Sequence, residues 1–195
     1  MSDSTKEKIK KTALSLFAQR GYNGTTMNDI AKLVGIKTPS LYAHFDGKEE
    51  LFFSVYEDLA NDYVNLMDEI MDAAVNMQME DKLYYIFEHY IIYYMRNPEI
   101  QSFWNQIALF TPPELRENFL THVTNCDVRI QKKMELIFAE GIAQGLIRED
   151  SSKKMSWSFQ IMRGGILNWM MVVPEMRHEK YIKAFWRDLW LGLKK

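Results

Sequence analysis

The chain has 195 residues, 47% of them apolar, and a formal net charge of −2 at pH 7. That is enough apolar material for one or two packed domains, and the near-neutral balance excludes a uniformly basic nucleic-acid binder. A single cysteine, Cys126, excludes an intrachain disulfide and fits a reducing compartment.

The charge is unevenly spread, with a net +2 over residues 1–50 and −4 over residues 51–195. A nucleic-acid surface is therefore expected at the front of the chain. The stretch MSDSTKEKIKK lacks the apolar run of a secretory signal. GILNWMMVV at 165–173 is too short to cross a bilayer and contains Asn168. The expectation is a soluble, cytoplasmic protein with no membrane association.

Apolar residues recur at helical spacing along the chain without strand-type alternation, which predicts an all-α fold of about nine helices. The first helix, 3–20, carries Ile9, Thr12, Ala13, Leu16 and Phe17 on one face and stops at Gly21. Three helix starts follow within 25–50. Thr26 with Asp29 reads as a capping box, Thr38 before Pro39 as an N-cap with proline at the first helical position, and Asp46 with Glu49 as a second capping box. Gly35 sits between the first two, where the turn favours a residue tolerant of positive φ.

Two short helices, a glycine turn and a bracing helix are the grammar of a helix-turn-helix. Ile30, Leu33, Val34, Ile36, Leu41 and Phe45 are its expected core. The second short helix, about 39–44, then turns Thr38, Pro39, Ser40, Tyr42, Ala43 and His44 outward. Small and hydrogen-bonding side chains suit a major-groove face. Lys37 and Lys48 flank the helix and are expected to meet phosphates, as are Lys6, Lys8, Lys10 and Lys11.

Later helices are expected at 48–73, 81–96, 99–110, 114–144 with a break near Thr121, 153–173 and 178–193. Asn97-Pro98, Pro112-Pro113 and Pro174 punctuate them. Helix 83–95 is apolar or aromatic nearly all round and is expected to be buried on most sides. His44, His89, His122 and His178 show no metal-ligand spacing, and no phosphate or nucleophile motif occurs. No cofactor, metal or catalytic residue is expected, and Cys126 reads as a small core residue.

The run ALSLFAQRGYNGTTMNDIAKLVGIKTPSLYAHFDGKEELF resembles the DNA-binding domain of the TetR family of bacterial transcriptional regulators. The ordered set A-x-x-L-F-x-x-x-G-Y-x-x-T-T, I-A-x-x-x-G-I and L-Y-x-H-F-x-x-K-E-E-L carries the likeness. The resemblance covers about residues 9–53 and implies a homodimer that binds a palindromic operator in double-stranded DNA and releases it when a small molecule binds. By position it implies Thr26 and Lys48 as phosphate contacts and Lys37, Thr38, Ser40, Tyr42 and His44 as recognition-helix contacts. Pro39 departs from the small residue many members show there.

On this basis residues 1–47 are expected to form the DNA-binding domain. Residues 48–195 are expected to form an effector-binding and dimerisation domain joined through helix 48–73. The effector is expected to be small, mainly apolar and lipophilic, in a pocket of Tyr63, Met67, Phe87, Tyr90, Tyr94, Phe103, Trp104, Ile107, Met134, Phe138 and Met162. The dimer seam is expected to use Phe159, Ile166, Trp169, Met170, Ile182, Phe185, Trp186, Leu189 and Trp190. The competing class is a helical small-molecule binder or enzyme whose helix-turn-helix does not read DNA.

Overall fold

The computed structural model describes residues 4–195, with the side chains of 114 and 117–127 outside the description. The readings of His122 and Cys126 fall there. In order the helices are α1 (Thr5–Arg20), α2 (Met27–Val34), α3 (Thr38–Tyr42), α4 (Lys48–Ala73), α5 (Met79–Arg96), α6 (Pro98–Phe110), α7 (Arg116–Ala143), α8 (Ser152–Val172) and α9 (Glu179–Leu193). Short 3-10 turns, Pro113–Leu115 and Pro174–Arg177, precede α7 and α9. The all-α expectation holds. The expected break near Thr121 does not occur, since α7 is one helix.

The chain forms two compact units: Met1–Tyr63 with Asn97–Val123, and Val64–Arg96 with Thr124–Lys195. This division differs from the expected one after residue 47, because α6 and the first part of α4 pack with the N-terminal helices. In this first unit α1 is capped by Ser4, whose hydroxyl accepts from the Glu7 amide. Ile9, Ala13, Leu16 and Phe17 are buried. Phe52 of α4 lies edge-on to Phe17 and 5.6 Å from Phe103 of α6, and Tyr56 meets Trp104 at 5.5 Å. Ser15 donates to the Glu99 carboxylate, tying α1 to α6 through a hydrogen bond. Such an aromatic cluster excludes water from the shared seam and favours one packing.

In the second unit α5 packs on α8 and α9. No residue from Lys82 to Met95 is exposed, as an all-round apolar helix predicts. Phe87 and Phe138 meet Phe159, and Trp186 lies 5.6 Å from both Tyr84 and Phe87. Burial, and the Glu88 carboxylate that accepts its hydroxyl, raise the Tyr84 pKa. The buried Lys82 ammonium is paired with Glu140 at 3.2 Å. The C-terminus is pinned where Arg148 donates to the Leu193 carbonyl and Lys195 to that of Leu146.

Candidate nucleic-acid interface

The reading head is assembled by local rules. The Thr26 hydroxyl accepts from the Asp29 amide at 3.1 Å, and the Asp29 carboxylate accepts from the Thr26 amide at 3.3 Å. The expected capping box is therefore present. The Thr26 hydrogen bond also lowers the Asp29 pKa. Gly35 closes α2 with φ +80°, and the amides of Gly35 and Ile36 both return to the Ala31 carbonyl at 3.0 Å. That left-handed residue reverses the chain into α3.

Two of the three expected starts are built differently. Lys37, not Thr38, occupies the cap position of α3 and caps nothing with its side chain. Thr38 is the first helical residue and donates to the Asn28 side chain at 3.0 Å, a link between α2 and α3. At α4 the carboxylate reaching back to the Asp46 amide is that of Glu50.

Leu41 and Phe45 are buried, at 0% and 2% exposure, so the inward face of α3 is as expected. Met27 is buried and Leu33 is 63% exposed, the reverse of the expectation for Leu33. Ile30 and Ala31 already fill the inward face of this two-turn helix, and Leu33 falls on its outer side. Lys37, Pro39, Ser40, Tyr42 and His44 are exposed together, with Thr26 exposed and Thr38 half-buried. Tyr42 keeps half its surface open, at 50%. A large amphipathic side chain left open on a short helix is available to a partner.

Lysines around this face divide. Lys6, Lys8 and Lys11 are exposed. Lys10 is instead turned to α4, where it pairs with Asp58 and lines a cleft of about 170 Å³ with Lys11, Leu14 and Asp62. Lys48 is half-buried; its ammonium donates to the Tyr22 carbonyl at 2.9 Å and stands 4.0 Å from the centre of the Tyr22 ring.

The residues expected to line an effector pocket fall in two units. Tyr63, Phe103, Trp104 and Ile107 belong to the first, where Phe103 and Ile107 are buried. Met67, Phe87, Tyr90, Tyr94, Met134 and Phe138 belong to the second, buried except for the half-buried Tyr90. Met162 is 43% exposed and does not join them. The inner face of α8 is instead Met155, Ser156, Phe159, Arg163, Leu167 and Met170.

The same phase corrects the expected seam. Phe159, Met170, Ile182, Trp186 and Leu189 are buried within the chain itself and offer nothing to a second copy. Ile166, Phe185 and Trp190 are half-buried, and Trp169 is 62% exposed. Sequence reading missed the rest of the outer stripe of α8: Trp157, Ile161 and Val172, 45–72% exposed. Apolar residues surround α8 nearly completely, so periodicity alone left its rotation open. Their spacing of three and four residues was the available signal.

Residues 9–55 match the family described as bacterial regulatory proteins, tetR family. A 62-residue stretch, 32% of the chain, is 44% identical to the biofilm operon icaADBC HTH-type negative transcriptional regulator IcaR of Staphylococcus epidermidis. The matched stretch spans 34% of that relative's length. Two solved structures share the fold over nearly the whole chain. The ketosteroid transcriptional regulator KstR2 of Mycobacterium tuberculosis is 18% identical with a TM-score of 0.75, covering 100% of this chain and 97% of that one. AibR, solved with isovaleryl coenzyme A and operator DNA, is 21% identical with a TM-score of 0.70, covering 96% of each chain. No helix among the described residues is long and apolar enough to cross a membrane, and no cluster of three metal-ligating side chains occurs among them. The ordered N-terminal match, on a helix-turn-helix with this geometry, identifies residues 9–55 as a domain of the tetR family of bacterial regulatory proteins.

Proposed function

We propose that the chain is a cytoplasmic, ligand-responsive repressor that binds a palindromic operator in double-stranded DNA as a homodimer. The exposed face of α3 carries this reading. Ser40, Tyr42 and His44 stand open together with Lys37 and Pro39, while Leu41 and Phe45 hold the helix from behind. Thr26 and Lys37 contact phosphates, and Thr38, Ser40, Tyr42 and His44 address the groove. Lys48 reaches a phosphate while keeping its bond to Tyr22, since an ammonium has three donors.

The outer stripe of α8 supports the homodimer. Four large apolar side chains on one helix face form a patch of the kind a symmetric partner covers. The effector binds among Met67, Phe87, Tyr90, Tyr94, Met134 and Phe138, walls of Met and aromatic side chains that adapt to apolar ligands. The likeness to KstR2, a ketosteroid regulator, and to AibR, solved with an acyl coenzyme A, supports a small lipophilic effector. Helix α4 begins at the reading head and ends in the effector unit. A ligand that favours one position of α4 therefore shifts DNA affinity, by the difference in its affinity for the two states.

The test is fluorescence anisotropy with DNA from immediately upstream of the protein's own gene, against unrelated competitor. Wild type binds through the competitor with a steep salt dependence, and Tyr42→Ala weakens it at least tenfold. No preferred site, either there or in a random-sequence selection, would end the repressor reading.

A further inference from the structure

Arg163 is 2% exposed and lies on the inner face of α8. Its guanidinium carbon stands 3.4 Å from the centre of the Tyr90 ring and 5.8 Å from that of Phe159. One terminal nitrogen lies 4.0 Å from the Met67 sulfur, a weak acceptor. The Nε–H is buried without a hydrogen-bond partner. Among the described residues no carboxylate pairs with this cation. Asp68, the residue after Met67, is taken by Arg129 and Lys133.

Such an arrangement is costly in a protein that has only to fold. A guanidinium does not shed its proton, so the charge stays. Buried charges are otherwise paired, and a ring face supplies only part of what water or a carboxylate would. A guanidinium whose buried Nε–H has no partner, and one of whose terminal nitrogens meets only a thioether sulfur, is suited to receive an acceptor-rich anion. A second buried polar atom in the same unit, Gln131 Oε1, also lacks a partner. Its amide nitrogen is held by Ser156, which is two turns before Arg163 on the same face.

We propose that Arg163 is the anchor for an anionic head group, a carboxylate or a phosphate, on an otherwise apolar effector. Met67, Tyr90 and Phe159 form the wall beside that head group. This deepens the effector part of the proposed function and rests on it: the ligand is an anionic amphiphile rather than a neutral lipophile. The orphaned Nε–H orients the anion, and the aromatic and Met surroundings accept its apolar body.

The test is isothermal titration calorimetry of the full-length protein with decanoate, decyl phosphate and decanol, below micelle-forming concentrations. At least one of the two anions binds wild type about ten- to a hundredfold more tightly than the alcohol, and which anion does so separates a carboxylate source from a phosphate ester. Arg163→Met abolishes that preference without lowering Tm, because a purely structural ion would be missed in the fold and an unpaired one is not. Arg163→Lys keeps part of the preference, and Arg163→Gln is the second neutral variant should Arg163→Met fail to fold. Equal binding of alcohol and anions, binding of neither anion, or a preference that survives both neutral variants would overturn the assignment. Operator binding is measured on the same samples. Its absence in wild type defeats the repressor reading, whereas intact operator binding with no anion preference defeats only the anchor.

Discussion

The first residue of α4, Lys48, is bonded to the chain between α1 and α2: its ammonium donates to the Tyr22 carbonyl at 2.9 Å and caps the Tyr22 ring. Tyr22 in turn lies edge-on to Phe52 at 5.2 Å. Lys48 thus serves the architecture of the head as well as any phosphate it meets. Lys48→Met is expected to cost about 1 kcal/mol of stability from the lost hydrogen bond and ring contact, read as a fall in Tm. A DNA titration across salt separates the roles. Loss of a phosphate contact lowers the slope of log K against log salt by about one, while loss of an anchor alone weakens binding at unchanged slope.

The outer stripe of α8 makes a separate prediction. Ile161 and Trp169 are 69% and 62% exposed, so charging them disturbs little within the chain. Ile161→Glu with Trp169→Glu is expected to give a folded monomer by analytical ultracentrifugation. Operator affinity falls with it, because two half-sites are no longer bound together. An unchanged dimer would place the seam elsewhere.

Packing at the end of α7 leaves no room for a methyl group. A Cβ on Gly141 would stand 2.5 Å from the Ile147 Cδ1 and 3.2 Å from the Met79 sulfur. Ile147 is 1% exposed and its neighbours hold the C-terminal residues. Gly141→Ala is expected to destabilise by about 1–3 kcal/mol despite alanine's better helix propensity. Chemical denaturation reads this directly; a stabilised variant would mean that Ile147 moves aside freely.

Asp150 organises the turn into α8. The Arg148 guanidinium beside it, the Ser151 amide and Lys154 hold its carboxyl at a pKa of about 2, below the ordinary 3.8. A carboxyl depressed in the fold stabilises above its unfolded pKa and loses that contribution as pH falls. The contribution is therefore complete above about pH 4 and fades towards pH 2. Asp150→Asn is expected to lower Tm modestly at pH 7 and progressively less through that window. A constant gap between variant and wild type would show that the carboxylate charge is not what matters.

Much of the reading head was legible in the sequence because its determinants are local. Thr26 and Asp29 are three residues apart and need only each other to start α2. Gly35 meets a backbone requirement at its own position, and Leu41 and Phe45 share a face by spacing alone. Where several neighbours compete, local reading lost its hold. Glu50 rather than Glu49 reaches the Asp46 amide, and Lys48 turns to Tyr22, a residue that only the packed aromatic cluster brings near.

By itself, then, the sequence determined the all-α class, the positions of most helix ends and the outward set on α3 apart from the half-buried Thr38, since caps, breakers and periodicity act over a few residues. Tertiary structure decided how α8 is rotated and which helices share a unit. On a helix apolar all round, burial energy barely depends on rotation until partners exist. Phe87 and Phe138 then draw Phe159 inward, and Arg163 follows one turn later while Ile161 and Trp169 turn out. An arginine ranks among the least buried of side chains by composition, and only its seat on Tyr90 reveals where it lies.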